Sequence, residues 1–137
     1  MESESFQRIR SPLRLALGKN VSGKPVSADL TAMPHLLIAG TTGSGKSVCV
    51  NSILSCLLLS NSPADLRLVL VDPKRVELTG YNGVPHLLAP VLVEPERVAG
   101  ALQWMQRAMD ARYHKFSQEG TRTTLDHNTK PLSLIPI

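Results

Sequence analysis

The sequence predicts an α/β fold, with a mostly parallel sheet flanked by helices. Hydrophobic residues make up 42% of the chain but aromatic residues only 4%, so Leu, Val, Ala and Ile must form the core. That composition is typical of parallel strands covered by helices on both faces. Two short apolar runs, residues 35–39 and 66–71, flank a helix-compatible stretch at residues 46–59. A strand, a helix and a second strand in this order predict a βαβ unit.

Residues 1–34 mix charged residues with glycine and proline, which limits any regular element to a few residues. We expect short strands and turns in this lead-in segment. Residues 13–17 alternate apolar and polar side chains, and residues 26–30 could pair with them across the turn at residues 20–23.

The C-terminal half predicts a third apolar run and a second long helix. The run at residues 87–93 ends at Glu94-Pro95-Glu96, which suits a helix N-terminus, and Gly120 is placed as its stop. Apolar residues recur along this helix at three-to-four spacing, and we expect the stripe to pack on the sheet. It consists of Leu102, Met105, Met109, Tyr113 and Phe116.

Residues 40–47 match the pattern G-x-x-x-x-G-K-[ST] in full and predict a loop that holds the phosphates of a nucleoside triphosphate. Its glycines let backbone N–H groups turn inward onto phosphate oxygens. Lys46 would reach the β- and γ-phosphates, Ser47 would offer its hydroxyl to Mg²⁺, and the following helix would direct its positive end at the anion. The predicted binding residues are Gly40, Thr41, Thr42, Gly43, Ser44, Gly45, Lys46 and Ser47.

Hydrolysis of the nucleotide would also need a carboxylate for the metal and usually another to orient water. Asp72 ends an apolar strand and is a weak candidate for the metal ligand, because Pro73 and Lys74 follow it rather than Glu. The alternative is a strand-end turn residue in an Asp-Pro pair. The catalytic residues therefore stay unassigned.

The chain carries 15 Lys and Arg against 11 Asp and Glu, a formal charge of +4 that favours polyanionic partners without specifying one. Cys49 and Cys56 lie too far apart on a helix to bridge, at roughly 10 Å along its axis. The longest apolar stretch, residues 48–59, is too short to span a bilayer, and the N-terminus does not resemble a signal peptide. As given, the chain is expected in the cytoplasm.

Three longer stretches resemble the motor domain of the FtsK/SpoIIIE DNA translocases: MPHLLIAGTTGSGKS, LVLVDPKRVELTGYNGVPHLL and the helix ending ARYHKFSQEG. The upstream LALGKNVSGKPVSADL resembles the segment leading into that motor. The resemblance implies a RecA-like ATPase that binds ATP and Mg²⁺ at residues 40–47. It also implies a homo-hexameric ring around double-stranded DNA, driving chromosome partition at cell division. Members are usually anchored in the bacterial cell membrane by N-terminal helices, and none is present here.

In that family the Walker B strand, an apolar run ending in Asp-Glu, follows the region matching Asn128. The sequence therefore predicts a lead-in segment at 1–34, a partial RecA-like domain at 35–130, incomplete at its C-terminus, and a truncated tail at 131–137. We expect little ATPase activity from the chain alone, and an exposed apolar sheet edge. Arg122, in a polar loop, is the candidate DNA contact. Two alternatives stay open: a non-catalytic subunit that docks on intact rings, and a small P-loop kinase using Asp72.

Overall fold

The computed structural model describes residues 3–33 and 35–120. The chain forms two compact units, the first ending at Ser62 and the second beginning at Pro63. In the first unit, helix α1 (Glu4–Gln7) precedes strands β1 (Arg14–Lys19) and β2 (Pro25–Asp29) and helix α2 (Lys46–Ser60). The second unit contains helix α3 (Pro95–Glu119).

Strands β1 and β2 form the antiparallel hairpin that the alternating sequence predicts. The turn between them is built by Asn20, whose side-chain oxygen accepts hydrogen bonds from the N–H groups of Ser22 and Lys24, each at 3.0 Å. Gly23 takes the left-handed conformation that a three-residue hairpin turn requires, with φ 75°. The short helix α1 was not expected. Ser3 caps it, and it buries Phe6.

Helix α2 begins at the predicted residue and packs on β1. Its buried side chains are Ile53, Leu54, Cys56 and Leu57, and Leu15 of β1 is completely buried. Cys56 Sγ lies 3.4 Å from the carbonyl oxygen of Arg14. Asn61 follows the helix and donates from its side-chain nitrogen to the carbonyl oxygens of Leu57 and Pro12, both at 2.9 Å. The buried apolar side chains and the side-chain amide of Asn61 together hold α2 beside the hairpin.

Residues 35–39 form no strand, so this part of the sequence-based prediction is wrong for the structure described. Leu36 is 43% exposed and Leu37 is 90% exposed. A strand needs a neighbour that takes up its N–H and C=O groups, and no described residue pairs with this run. Its apolar composition predicted the strand, but composition does not supply a partner.

In the second unit the apolar runs at 66–71 and 87–93 form no regular strands, but two isolated bridges join them in parallel, so the described residues do not form the predicted βαβ unit. Leu68 bridges Leu87, and Val71 bridges Leu92. The connecting backbone hydrogen bonds are 2.8–2.9 Å long. The following helix α3 starts at Pro95 and ends at Gly120, as predicted. Gly120 has φ 64° and donates its N–H to the carbonyl oxygens of Phe116 and Ser117.

The predicted packing of the apolar stripe on α3 is wrong for most of its members. Phe116 is buried, but Leu102, Met109 and Tyr113 are at least half exposed. Spacing alone showed that these side chains share one face of the helix. It could not show whether the described part of the chain covers that face.

Both cysteines are free, as their spacing predicts, with Cys56 buried and Cys49 half-buried. Among the helices in the described ranges, none combines the length and the apolar character needed to cross a membrane. In the second unit, Leu66, Leu70, Val91 and Leu92 are buried and contribute to its core.

Candidate functional site

The phosphate loop, residues 40–47, turns on two glycines in the left-handed conformation. Gly43 has φ 80° and Gly45 has φ 90°, and Gly45 is the N-cap of α2 with no side-chain hydrogen bond. A residue with a Cβ atom would be strained at either position. The N–H of Ser44 donates to the carbonyl oxygen of Thr41 at 3.1 Å and closes the turn. The glycines therefore set the path of the backbone into the helix.

Gly40 is required for a different reason, which is close approach. A Cβ atom built on Gly40 would collide with the side chain of Ser44. The sequence pattern marked Gly40 as a motif position, but the Ser44 contact that excludes a side chain there is visible only in the structure. Position 40 therefore tolerates no side chain while Ser44 keeps this placement.

Lys46, the first residue of α2, folds back over the loop. Its Nζ atom donates to the carbonyl oxygens of Gly40 at 2.9 Å and of Thr41 at 3.0 Å. The ammonium group thus closes the loop on itself. It lies at the N-terminus of a 15-residue helix, where the helix dipole adds positive potential.

Ser47 follows Lys46 in the first turn of α2 and is half-buried. Its carbonyl oxygen accepts a hydrogen bond from the side-chain nitrogen of Asn51 at 2.8 Å. Thr41 and Thr42 are exposed on the outer part of the loop. One unit of the structure therefore brings all eight predicted binding residues together. Backbone amides, an ammonium group and a hydroxyl group are chemically suited to a phosphate anion with a hard cation.

Asp72 is buried and organises its own loop, residues 72–78, here called the carboxylate loop. Its Oδ2 atom accepts hydrogen bonds from the N–H groups of Glu77 and Leu78, both at 2.9 Å. The bond from Leu78 is the main cause that holds the pKa of Asp72 below its ordinary value, and burial acts in the opposite direction. This geometry matches the alternative of a turn residue at the end of a strand.

The carboxylate loop also contains Arg75, the one described residue other than glycine with positive φ, at 59°. Its guanidinium lies 3.9 Å from Glu94, which pairs more closely with Arg97 at 2.7 Å. All three side chains are substantially exposed. No feature of the sequence indicated this backbone conformation.

The remaining sequence-based candidates are placed as follows. Arg122, the predicted DNA contact, lies outside the described residues. Within residues 3–33 and 35–120, no group of three or more His, Cys, Asp or Glu side chains could hold a metal ion.

Comparison with known proteins gives a family match over residues 1–132, to the FtsK/SpoIIIE family. The chain is 48% identical over 130 residues to the DNA translocase FtsK of Caldanaerobacter subterraneus subsp. tengcongensis, covering 95% of this chain and 18% of that protein. It is 49% identical to DNA translocase FtsK of Clostridium acetobutylicum, over 93% of this chain and 17% of the relative. The chain thus spans less than a fifth of the length of these relatives.

Two solved structures are similar in fold. The cytoplasmic domain of the Type VII secretion ATPase EccC of Thermomonospora curvata aligns with a TM-score of 0.71 and 25% identity, over 99% of this chain and 20% of that one. The conjugation coupling protein TcpA of pCW3, solved as a monomer with ATPγS, aligns with a TM-score of 0.68 and 24% identity, over 95% of this chain and 34% of that one.

These likenesses confirm the predicted fold class, because the chain forms part of a RecA-like P-loop core of the α/β type. The family match covers both the hairpin and the phosphate loop, and it extends through α3. This chain therefore belongs to the FtsK/SpoIIIE family.

Proposed function

We propose that residues 40–47 bind the phosphates of ATP together with Mg²⁺. On this proposal the chain is part of the motor of a ring-shaped translocase that moves double-stranded DNA in chromosome partition and cell division. The observation that carries the proposal is the geometry of the phosphate loop. Two left-handed glycines lead the chain into the N-terminus of α2, and Lys46 lies directly over the loop.

Each part of the loop has a separate task in this proposal. Backbone amide N–H groups at the N-terminus of α2 would face the phosphate oxygens, as helix N-termini generally do when they bind anions. Lys46 leaves the carbonyl oxygens of Gly40 and Thr41 and binds the phosphates instead. The hydroxyl group of Ser47 is the ligand for Mg²⁺, which would neutralise phosphate charge.

Nucleotide binding is the part of the proposal that this chain's own geometry supports. DNA as the partner, a hexameric assembly and membrane anchoring of the full-length protein rest on the family and on the names of relatives that the chain covers only in part. The proposed DNA contact at Arg122 rests on the family as well. So does the proposed division of the chain into a lead-in segment at 1–34, a partial RecA-like domain at 35–130 and a tail at 131–137.

The kinase alternative is not favoured by the structure of the carboxylate loop. Asp72 would have to serve as the metal ligand, but its Oδ2 already accepts two backbone hydrogen bonds within residues 72–78. Metal binding at this oxygen would compete with the two amide groups for its lone pairs. We therefore assign Asp72 to the support of its loop.

Calorimetric titration of the full chain with ATP in the presence of Mg²⁺ tests the proposal. We expect binding that is weakened about 10- to 100-fold in the Lys46→Ala variant, because a charged hydrogen bond contributes about 1.5–3 kcal/mol. Lys115→Ala is the matched control, since Lys115 is an exposed lysine of α3, and it should bind like the wild type. Absence of binding by a folded wild-type chain, or equal affinity of the two variants, would contradict the proposal.

A further inference from the structure

The hairpin tip, residues 19–24, projects a rigid turn with an exposed apolar residue at its end. Val21 is fully exposed. The turn is held by the side chain of Asn20, by a hydrogen bond from the N–H of Asn20 to the carbonyl oxygen of Lys24 at 2.9 Å, and by Gly23. Because the turn is already ordered, binding through it costs little conformational entropy.

The charge around the tip has a single sign. Residues 5–28 contain no Asp or Glu, and they include Arg8, Arg10, Arg14, Lys19 and Lys24. Some of these cations are already engaged: Arg8 pairs with Glu4, and Arg14 lies over the ring of Phe6. Lys19 and Lys24 are exposed and form no ion pair with any described residue. The tip therefore offers two cations to an external anion.

Strand alternation carried one residue into the turn predicts that the two lysines extend from opposite faces of the two-stranded ribbon. Lys19 lies opposite Pro25 in the register of the hairpin, and Asn20 lies opposite Lys24. Residues opposite each other share a face, and successive residues alternate between faces. A flat acidic surface would meet only one of these lysines. A groove with negative charge on both walls would meet both.

We propose that the hairpin tip enters a groove of double-stranded DNA, where Lys19 and Lys24 contact the phosphates on its two sides. The major groove is about 12 Å wide and admits a two-stranded β-ribbon. Val21 would then lie towards the floor of the groove, where apolar groups such as thymine methyls are accessible. This inference rests on the proposed function, since that function supplies DNA as the partner.

The test is the salt dependence of binding to a fluorescently labelled DNA duplex, measured by anisotropy with the full chain between 50 and 200 mM KCl. Each phosphate contact contributes about 0.9 to the slope of log affinity against log salt. The double variant Lys19→Gln/Lys24→Gln should therefore lower the magnitude of that slope by about 1.8. Each single variant should lower it by about half as much.

The matched control is Lys74→Gln/Lys115→Gln, which removes two exposed lysines from the second unit. Its slope should equal that of the wild type. The inference is overturned if the hairpin variant keeps the wild-type slope, or if both double variants lower it equally. It is also overturned if single-stranded DNA of equal length shows the same loss as the duplex, since single strands have no groove.

Circular dichroism and ATP titration of the same samples separate this inference from the proposed function. Both double variants should keep the wild-type spectrum and ATP affinity, because the substituted lysines are exposed and lie outside the phosphate loop. A wild-type chain that binds ATP but no duplex DNA would overturn the hairpin inference and leave nucleotide binding intact. Loss of ATP binding in the wild type would instead contradict the proposed function.

Discussion

The phosphate loop and the carboxylate loop both contain left-handed residues, but they are stabilised in opposite ways. In the phosphate loop the left-handed positions are glycines, and the side chain that closes the loop is the cation Lys46, which binds carbonyl oxygens. In the carboxylate loop the left-handed position is Arg75, and the side chain that closes the loop is the anion Asp72, which binds amide N–H groups.

The opposite charges of Lys46 and Asp72 indicate which of the two loops is suited to an external anion. Asp72 supplies the negative charge that the amides of Glu77 and Leu78 require, so the carboxylate loop satisfies its own donors. The phosphate loop contains no acidic side chain, and its charged group is an ammonium. Residues 40–47 therefore contain no anion of their own, as the proposed phosphate binding requires, whereas residues 72–78 already contain one.

One expected effect that sharpens this comparison is that of Gly40→Ala. The added methyl group collides with the hydroxyl oxygen of Ser44, so the exposed Ser44 side chain or the loop around it must shift, at a cost of about 1 kcal/mol. Denaturant unfolding should show the loss of stability, and ATP titration should show weaker binding. The double variant Gly40→Ala/Ser44→Gly should recover part of both. No recovery would show that the Ser44 contact is not what excludes a side chain at position 40.

Replacing the left-handed residue should lower the unfolding stability clearly in the phosphate loop and change it only slightly in the carboxylate loop. Gly45→Ala forces a Cβ atom into the left-handed region and should cost about 1–2 kcal/mol. Arg75→Gly relieves the same strain but adds entropy to the unfolded chain, so unfolding stability should change by less than about 1 kcal/mol. Equal losses in the two variants, measured by urea unfolding, would contradict the assignment of backbone strain at Arg75.

Acid should weaken the carboxylate loop through Asp72. Its pKa is lower in the folded chain than in the unfolded one, so the ionised carboxylate stabilises the fold above the unfolded value. That contribution disappears as the pH falls through the folded value, which lies below the ordinary value of an aspartate. In urea unfolding at a series of pH values, Asp72→Asn should reduce the loss of stability in this acid range.

Asp29 provides a comparison in the first unit. Its pKa is also lowered, chiefly by the hydroxyl group of Thr31, and its Oδ1 accepts the N–H of Thr31 at 2.9 Å. Asp29→Asn should therefore remove a separate part of the acid sensitivity. An Asp72→Asn profile parallel to that of the wild type would show that the carboxylate has no stabilising role in its loop.

The smallest expected effect concerns the ion pair between Arg75 and Glu94. The atoms are 3.9 Å apart and both side chains are largely exposed, so the pair should contribute less than about 0.5 kcal/mol. Glu94→Gln removes this pair together with the closer, similarly exposed pair with Arg97, and should still leave the midpoint of urea unfolding nearly unchanged. A loss above about 1 kcal/mol would mean that Glu94 supports the carboxylate loop or α3 in another way.

The sequence was most informative where local chemistry decides the structure. The turn residues at 20–23 predicted the hairpin, and Pro95 and Gly120 predicted the ends of α3. The pattern at 40–47 identified a loop whose backbone has the expected glycine geometry.

The sequence was least informative where a segment depends on distant partners. Residues 35–39 have a strand composition, but strand formation requires pairing that their own sequence does not contain. Met109 and Tyr113 have helix-face spacing, yet they are exposed. The sequence does not decide whether Asp72 is a metal ligand or a turn residue. Only the structure shows that the amide groups of Glu77 and Leu78 turn back to its carboxylate.

The position of Lys46 has a consequence for the heat of nucleotide binding. Its ammonium group already donates to two carbonyl oxygens, at 2.9 and 3.0 Å, and on the proposed function it exchanges these bonds for bonds to phosphate. Association is then an exchange of partners, so the enthalpy released at this residue is smaller than that of two newly formed bonds. A Lys46→Met chain would have no such bonds to break, and the difference between the two calorimetric enthalpies would measure the exchange.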